Sequence, residues 1–182
     1  MAIRILIADD HAVVRQGLRT FLGLDPELEV VGEAADGAEA VTQTRQQTPD
    51  ILLLDLAMPR VPGMDALREI SAMEEEVKTK IIVLTAAVER IQIVQALQMG
   101  ARGVVMKEAA TQLLMKAIRT VMSGQYWIGR EAVGDIVDFM RTNASGEKAP
   151  RNFGLTKREM EILSLSTIHD ELEAEIQKKA KA

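Results

Sequence analysis

The aliphatic run at 51–54, which ends at Asp55, constrains the fold of this chain more than any other feature. Four consecutive aliphatic side chains are typical of a strand that is buried on both faces of a sheet. Other apolar runs also end in side chains that can bind a metal or a phosphate: Asp9 and Asp10 after 3–8, Thr85 after 81–84, and Lys107 after 104–106. Because open α/β sheets bind ligands beyond the carboxyl ends of their strands, these residues define a candidate site.

Strand-like and helix-like segments alternate along the first two thirds of the chain. Strands are predicted near 2–8, 28–34, 50–55, 80–85 and 102–106. Helices are predicted near 11–24, 36–48, 63–75, 89–99 and 109–123, with a capping box at Asp36 and Glu39 and a terminating glycine at Gly100. These repeats predict a doubly wound α/β domain, in which helices cover both faces of a five-stranded parallel sheet. Right-handed crossovers then bring all the strand carboxyl ends to one edge.

Composition excludes several classes of protein. The 182 residues are 47% hydrophobic with a net charge of −5, which suits a packed core and gives no overall basic surface for nucleic acid. There is no cysteine, so disulfides and thiolate zinc sites are excluded, and His11 and His169 are too few for a histidine-rich metal site. No apolar run approaches the roughly 18 residues of a membrane span, and the N-terminus has no signal-peptide pattern. We therefore expect a cytoplasmic protein with no membrane partner.

Three carboxylates at one sheet edge repel one another unless a cation lies among them. Mg²⁺ prefers a few oxygen ligands together with water and a phosphate oxygen, and Lys107 adds a compact ammonium group. Beside these charges, Asp55 stays anionic and can act as a nucleophile toward a phosphoryl group, with Thr85 as a neutral donor. Taken singly, an aspartate after a strand is usually a helix cap or a turn residue, a lysine there is usually solvated, and Thr85 is explained as a strand former. Jointly they predict a magnesium-dependent aspartyl-phosphate site, whereas His11 is expected only to begin a helix.

These residues, together with Met58 and Pro59, Gly63, and Ala86 after Thr85, resemble the receiver domain of two-component response regulators over residues 1–124. The resemblance implies a flavodoxin-like sheet in the order 2-1-3-4-5. It implies that Asp55 accepts phosphate from a histidine kinase, with Thr85 and Lys107 against the phosphoryl group. It also implies Mg²⁺ bound by Asp10, Asp55 and the backbone carbonyl of Ala57, with Asp9 acting through water. Such a protein is not an enzyme beyond its own magnesium-dependent phosphorylation and dephosphorylation.

One position departs from that family. Its members often carry tyrosine or phenylalanine three residues before the lysine, where this chain has Val104. An aromatic ring that moves inward with the threonine is therefore absent, and the relay of phosphorylation must use other contacts.

The remaining sequence resembles the NarL/FixJ class, in which a receiver precedes a LuxR-type helix-turn-helix. Residues 125–154 are expected to form a linker with one helix, and residues 155–182 a partial helix-turn-helix within a helical C-terminal extension. The segment 155–163 matches the opening of that domain, with a capping box at Thr156 and Glu159, but no second basic helix follows. Seven positive and seven negative side chains lie in residues 147–182, without the excess expected of a phosphate-binding surface.

Two outputs therefore stay open. The chain is a transcription regulator by lineage with an incomplete DNA-binding domain, or a stand-alone receiver that acts through protein contacts. A homodimer is plausible through the face of the fourth helix, fifth strand and fifth helix, or through the C-terminal helices. An aspartate-nucleophile phosphatase of the haloacid dehalogenase-like family is disfavoured, since Ala57 stands where that family has a second aspartate.

Overall fold

The computed structural model describes residues 2–73, 78–86 and 90–128 of the chain. The strands are β1 Ile3–Ala8, β2 Leu28–Ala34, β3 Ile51–Asp55, β4 Lys80–Thr85, β5 Gly103–Met106 and β6 Trp127–Ile128. The helices are α1 Ala12–Leu22, α2 Gly37–Gln47, α3 Gly63–Ser71, α4 Arg90–Gln98 and α5 Ala110–Met122, with a 3₁₀ turn at Lys107–Ala109. Most predicted bounds agree within two residues. The third helix is the exception, because it ends at Ser71 rather than at 75. Just after Ser71, the Met73 N–H donates to the Ile70 carbonyl in a tightened last turn.

The strands form one parallel sheet in the order β2-β1-β3-β4-β5-β6. The predicted flavodoxin-like order of the first five strands is confirmed. The sixth strand was not predicted, because residues 125–154 were assigned to a linker. Trp127 and Ile128 pair with Gly103 and Val104 of β5, and the Trp127 N–H donates to the Arg102 carbonyl at 3.0 Å. Two residues are too few to show the alternation by which strands are recognised in a sequence.

Burial of β3 on both faces explains its unbroken apolar sequence. All of its residues are buried, and Ile51, Leu52, Leu53 and Leu54 are 0% exposed. Alternate residues of the central strands, among them Ile51 and Leu53, pack in one core with α1 and α5. The strand therefore has no polar surface until its last residue, Asp55, reaches the edge of the sheet.

Local signals end and begin the helices as the sequence predicts. Asp36 Oδ1 accepts the Glu39 N–H at 2.9 Å, and Glu39 Oε2 accepts the Ala35 N–H at 2.8 Å, so the capping box closes one residue further out than its usual form. Gly100 has φ of 107°, and the Ala101 N–H donates to the Ala96 carbonyl, which is the Schellman ending of α4.

The chain divides into two units, Met1–Gly129 and Arg130–Ala182, and the described residues all lie in the first. The predicted linker helix and the partial helix-turn-helix at 155–182 lie outside the described residues. Across the described residues, no helix combines the length and apolar character needed to cross a membrane.

Gly63 brings α3 against the end of β3 more closely than any side chain would permit. A Cβ at this position would overlap the Asp55 carbonyl oxygen and would lie 2.7 Å from Leu56 Cα. The Gly63 N–H also donates to the Leu56 carbonyl at 3.1 Å. This close approach therefore fixes the backbone on which the Asp55 side chain stands.

Gly63→Ala is expected to destabilise the protein by about 2–3 kcal/mol, because the backbone must shift to admit the methyl group. Gly17→Ala is the matched control: Gly17 lies in α1, a Cβ there would meet nothing within 4 Å, and alanine should add about 0.5–1 kcal/mol of stability. Urea unfolding followed by circular dichroism measures both. Equal stability of Gly63→Ala and wild type would show that the close approach is not required.

Candidate functional site

The structure brings three of the predicted carboxylates into one cluster. Asp9 and Asp10 follow β1, and Asp55 ends the neighbouring strand β3. Oxygens of Asp9, Asp10 and Asp55 and a ring nitrogen of His11 all lie within 4.8 Å of one another. The Asp9 and Asp55 side chains are 0% and 2% exposed. Such buried negative charge requires a cation nearby.

Lys107 supplies that cation from the end of β5. Its Nζ lies 2.7 Å from Asp9 Oδ2 and 2.8 Å from Asp55 Oδ2. Burial lowers the pKa of the Lys107 ammonium, but the contacts with Asp55 and Asp9 and their negative charges outweigh burial, so the pKa lies above its ordinary value. Lys107 is therefore fully charged at neutral pH and holds two strand ends together.

Thr85 and Ala57 lie at the same edge of the sheet as this cluster. Thr85 ends β4 and is half-buried, one residue beyond Leu84, which pairs with Asp55. Ala57 is exposed in the loop after β3, and its N–H donates to Asp55 Oδ1 at 3.1 Å. All the predicted site residues are thus at the same edge of the sheet, although their chemical roles stay predictions.

His11 begins α1, as expected, and it also contacts the acidic cluster. Its N–H donates to Asp9 Oδ1 at 2.8 Å, and its ring Nδ1 lies 2.8 Å from Asp10 Oδ1. The second contact was not predicted, although its sequence signal is simple adjacency to two aspartates.

Arg15 is a supporting residue that sequence reasoning missed. Its Nη1 donates to the Asp9 carbonyl at 2.7 Å, and its Nε donates to Glu33 Oε2 at 3.2 Å. Glu33 also accepts from Arg19, and that hydrogen bond, partly opposed by burial and reinforced by Arg15, holds the pKa of Glu33 below its ordinary value. The spacing of Arg15 and Arg19 on one helix face was visible in the sequence, but their shared partner on β2 was not.

Two oxygens of the cluster are suited to a bound cation. Asp9 Oδ2 and Asp10 Oδ1 are buried in the cluster, where Lys107 Nζ lies 2.7 Å from the first and His11 Nδ1 lies 2.8 Å from the second. Oxygen-rich clusters of this kind match the ligand preference of Mg²⁺.

The comparisons with known proteins identify the class. Residues 5–119 match the response regulator receiver domain, and the chain belongs to this family. A solved two-component response regulator of the LuxR family from Aurantimonas sp. SI85-9A1 is similar in structure, with a TM-score of 0.70 and 30% identity over 78% of this chain and 99% of that one. The receiver domain of a putative response regulator NarL from Mycobacterium tuberculosis has a TM-score of 0.64 and 32% identity, over 68% of this chain and 98% of that one.

Within the class, this chain is similar to regulators of transcription. It is 37% identical over 163 residues to the transcriptional regulatory protein LiaR of Bacillus subtilis, which covers 90% of this chain and 75% of LiaR. It is 37% identical over 167 residues to the oxygen regulatory protein NreC of Staphylococcus aureus, covering 90% and 76%. The chain is therefore a response regulator related to the NarL/FixJ transcription regulators, as its sequence predicts.

Lys107→Met is expected to lower the free energy of unfolding by roughly 3 kcal/mol, because Asp9 and Asp55 would remain buried without their cation. Lys78→Met, at an exposed lysine with no ion pair within the described structure, should change it by less than about 0.5 kcal/mol. Denaturant unfolding at neutral pH compares the two. Equal effects would show that Lys107 is not needed to neutralise the cluster.

Proposed function

We propose that this response regulator accepts a phosphoryl group on Asp55 from a histidine kinase. The observation that supports this most directly is the contact of buried Asp55 with Lys107, 2.8 Å apart, beside Asp9 and Asp10. A carboxylate at a sheet edge, with a lysine and a pair of further carboxylates around it, has the groups needed for phosphoryl transfer.

In the proposed step, a carboxylate oxygen of Asp55 forms a bond to phosphorus as the bond from phosphorus to the kinase histidine nitrogen breaks. Asp10, Asp55 and the Ala57 carbonyl would hold Mg²⁺, with Asp9 acting through water. When bound, the metal neutralises charge on the phosphoryl oxygens. Lys107 then exchanges part of its contact with Asp55 for a phosphoryl oxygen, and the Thr85 hydroxyl donates to another. The protein's own chemistry would be limited to taking up and losing this group.

The proposed output is control of transcription. The proposed location of the protein is the cytoplasm. Two Bacillus subtilis proteins similar to this chain, LiaR and YhcZ, are both named transcriptional regulatory proteins, and this supports the proposed output. The balanced charge of residues 147–182 favours the alternative, which is contact with a protein partner. A gel shift on promoter DNA separates them, because salt-sensitive, sequence-dependent binding supports direct control and its absence supports the alternative. Homodimerisation stays a prediction.

Incubation with Mg²⁺ and a small phosphodonor is expected to add the mass of one phosphoryl group, measured by intact mass spectrometry. Asp55→Asn should gain none, because the amide is a poor nucleophile. The matched control is Asp50→Asn at the opposite end of β3, where the side chain accepts the Arg4 N–H at 2.8 Å and an amide oxygen can do the same. This variant should be labelled like wild type.

The proposed function is contradicted if wild type gains no phosphoryl mass under these conditions. It is also contradicted if Asp55→Asn gains as much as wild type.

A further inference from the structure

The loop between β3 and α3 contributes Arg60 to an ion pair with the start of α2, and the position of this pair points to a role in the site. Arg60, which is exposed, lies against the buried carboxylate of Asp36, the N-cap residue of α2. The same loop includes Ala57, whose carbonyl is a proposed Mg²⁺ ligand. The ion pair therefore joins that loop to a second element of the fold.

The backbone around this ion pair is tightly held. The Gly37 N–H donates to the Val61 carbonyl at 3.1 Å. A Cβ on Gly37 would lie 2.6 Å from the same oxygen, so the start of α2 rests directly on the loop. On the other side, the Gly63 N–H donates to the Leu56 carbonyl at 3.1 Å. Residues 56–62 are thus fixed at both ends and at Arg60 between them.

Arg60 adopts a backbone conformation that non-glycine residues avoid. Its φ of 64° lies in the left-handed region, which costs free energy for a residue with a Cβ. Such a conformation persists where surrounding contacts stabilise it, and it is commonest at functional sites. The contact seen here is the Asp36 carboxylate, whose Oδ1 also accepts the Glu39 N–H at 2.9 Å.

The Asp36 carboxylate stays ionised at neutral pH, as its ion pair with Arg60 requires. The hydrogen bond from the Glu39 N–H, partly opposed by burial and reinforced by the charge of Arg60, holds the pKa of Asp36 below its ordinary value. The ion pair consequently exists throughout the neutral pH range. Its geometry links the α2 cap to the loop that leads from Asp55.

We propose that Arg60 is a positioning residue, which through Asp36 holds the loop after β3 so that the Ala57 carbonyl can bind Mg²⁺. This inference rests on the proposed function. It deepens that function, because it explains how the metal site is organised by residues that do not touch the metal.

The test measures the Mg²⁺ concentration that gives half-maximal phosphoryl incorporation from a small phosphodonor, by intact mass. Arg60→Gly removes the ion pair and relieves the left-handed strain, whereas Asp36→Asn removes the charge and leaves an oxygen for the Glu39 N–H. Each is expected to raise the required Mg²⁺ roughly three- to fivefold, as for loss of a partly exposed ion pair. The double variant should match the worse single variant, because both changes remove the same contact.

Two controls separate positioning from folding. Arg68→Ala breaks an exposed ion pair with Asp65, 2.9 Å long and within α3, and should leave the Mg²⁺ requirement unchanged. Urea unfolding of Arg60→Gly should stay close to wild type, because relief of strain offsets loss of the ion pair. A large loss of stability would instead assign Arg60 to folding and overturn the inference.

Other outcomes also overturn it. An unchanged Mg²⁺ requirement in both single variants would show that the ion pair does not act on the site. A shift in Arg60→Gly alone would mean that Arg60 meets the phosphodonor directly rather than acting through Asp36. Failure of wild type to be phosphorylated would contradict the proposed function as well, whereas phosphorylated wild type with unshifted variants contradicts only this inference.

Discussion

The contact of Lys107 with Asp9 and Asp55 is the interaction on which the arrangement of this domain depends. Both carboxylates are almost completely buried, and the lysine reaches them from β5, across the end of β4. Without it, the edge of the sheet would contain uncompensated buried charge, which proteins avoid. Because the same cation satisfies two strand ends, any new anion at Asp55 must change its contacts. The carboxylates of the site are therefore coupled through Lys107 to the end of β5.

Close backbone packing also determines the geometry of the site. Gly63 lets α3 approach the backbone of Asp55, and its amide ties the first residue of the loop, Leu56, to the start of that helix. On the far side of the loop, Gly37 allows the same close approach by α2. The proposed phosphoacceptor needs a supporting backbone that does not move, and these two close contacts hold the backbone in place.

The sequence predicted the elements with strong periodicity and the residues at their ends. Continuous apolar runs located the buried strands, and parallel connection brought Asp9, Asp55 and Lys107 to one edge without knowledge of any distance. The two-residue β6 has no periodicity to detect, and the early end of α3 depends on a tightened turn at Met73. The contacts of Arg15 with Asp9 and of Arg60 with Asp36 arise only when separate elements pack, so no local pattern reveals them.

Val104 shows both what the sequence reveals about a position and what only the structure adds. Its identity showed from the sequence that no aromatic ring is present at that position. The structure adds that it is buried and pairs with Val83 and with Ile128 of β6, next to the end of the first unit. Both residues paired with Val104 are therefore aliphatic, and one of them belongs to the strand that was not predicted.

The central claim is that the phosphoryl group resides on Asp55, and borohydride reduction tests it most directly. Reduction converts an aspartyl phosphate to homoserine, which peptide mass spectrometry locates along the chain. Tryptic cleavage after Arg45 and Arg60 gives the peptide 46–60, which contains Asp50 and Asp55. We expect homoserine at position 55 alone after phosphorylation in the presence of Mg²⁺. Homoserine at position 9, 10 or 50, or phosphorylated protein that yields none, would contradict the account.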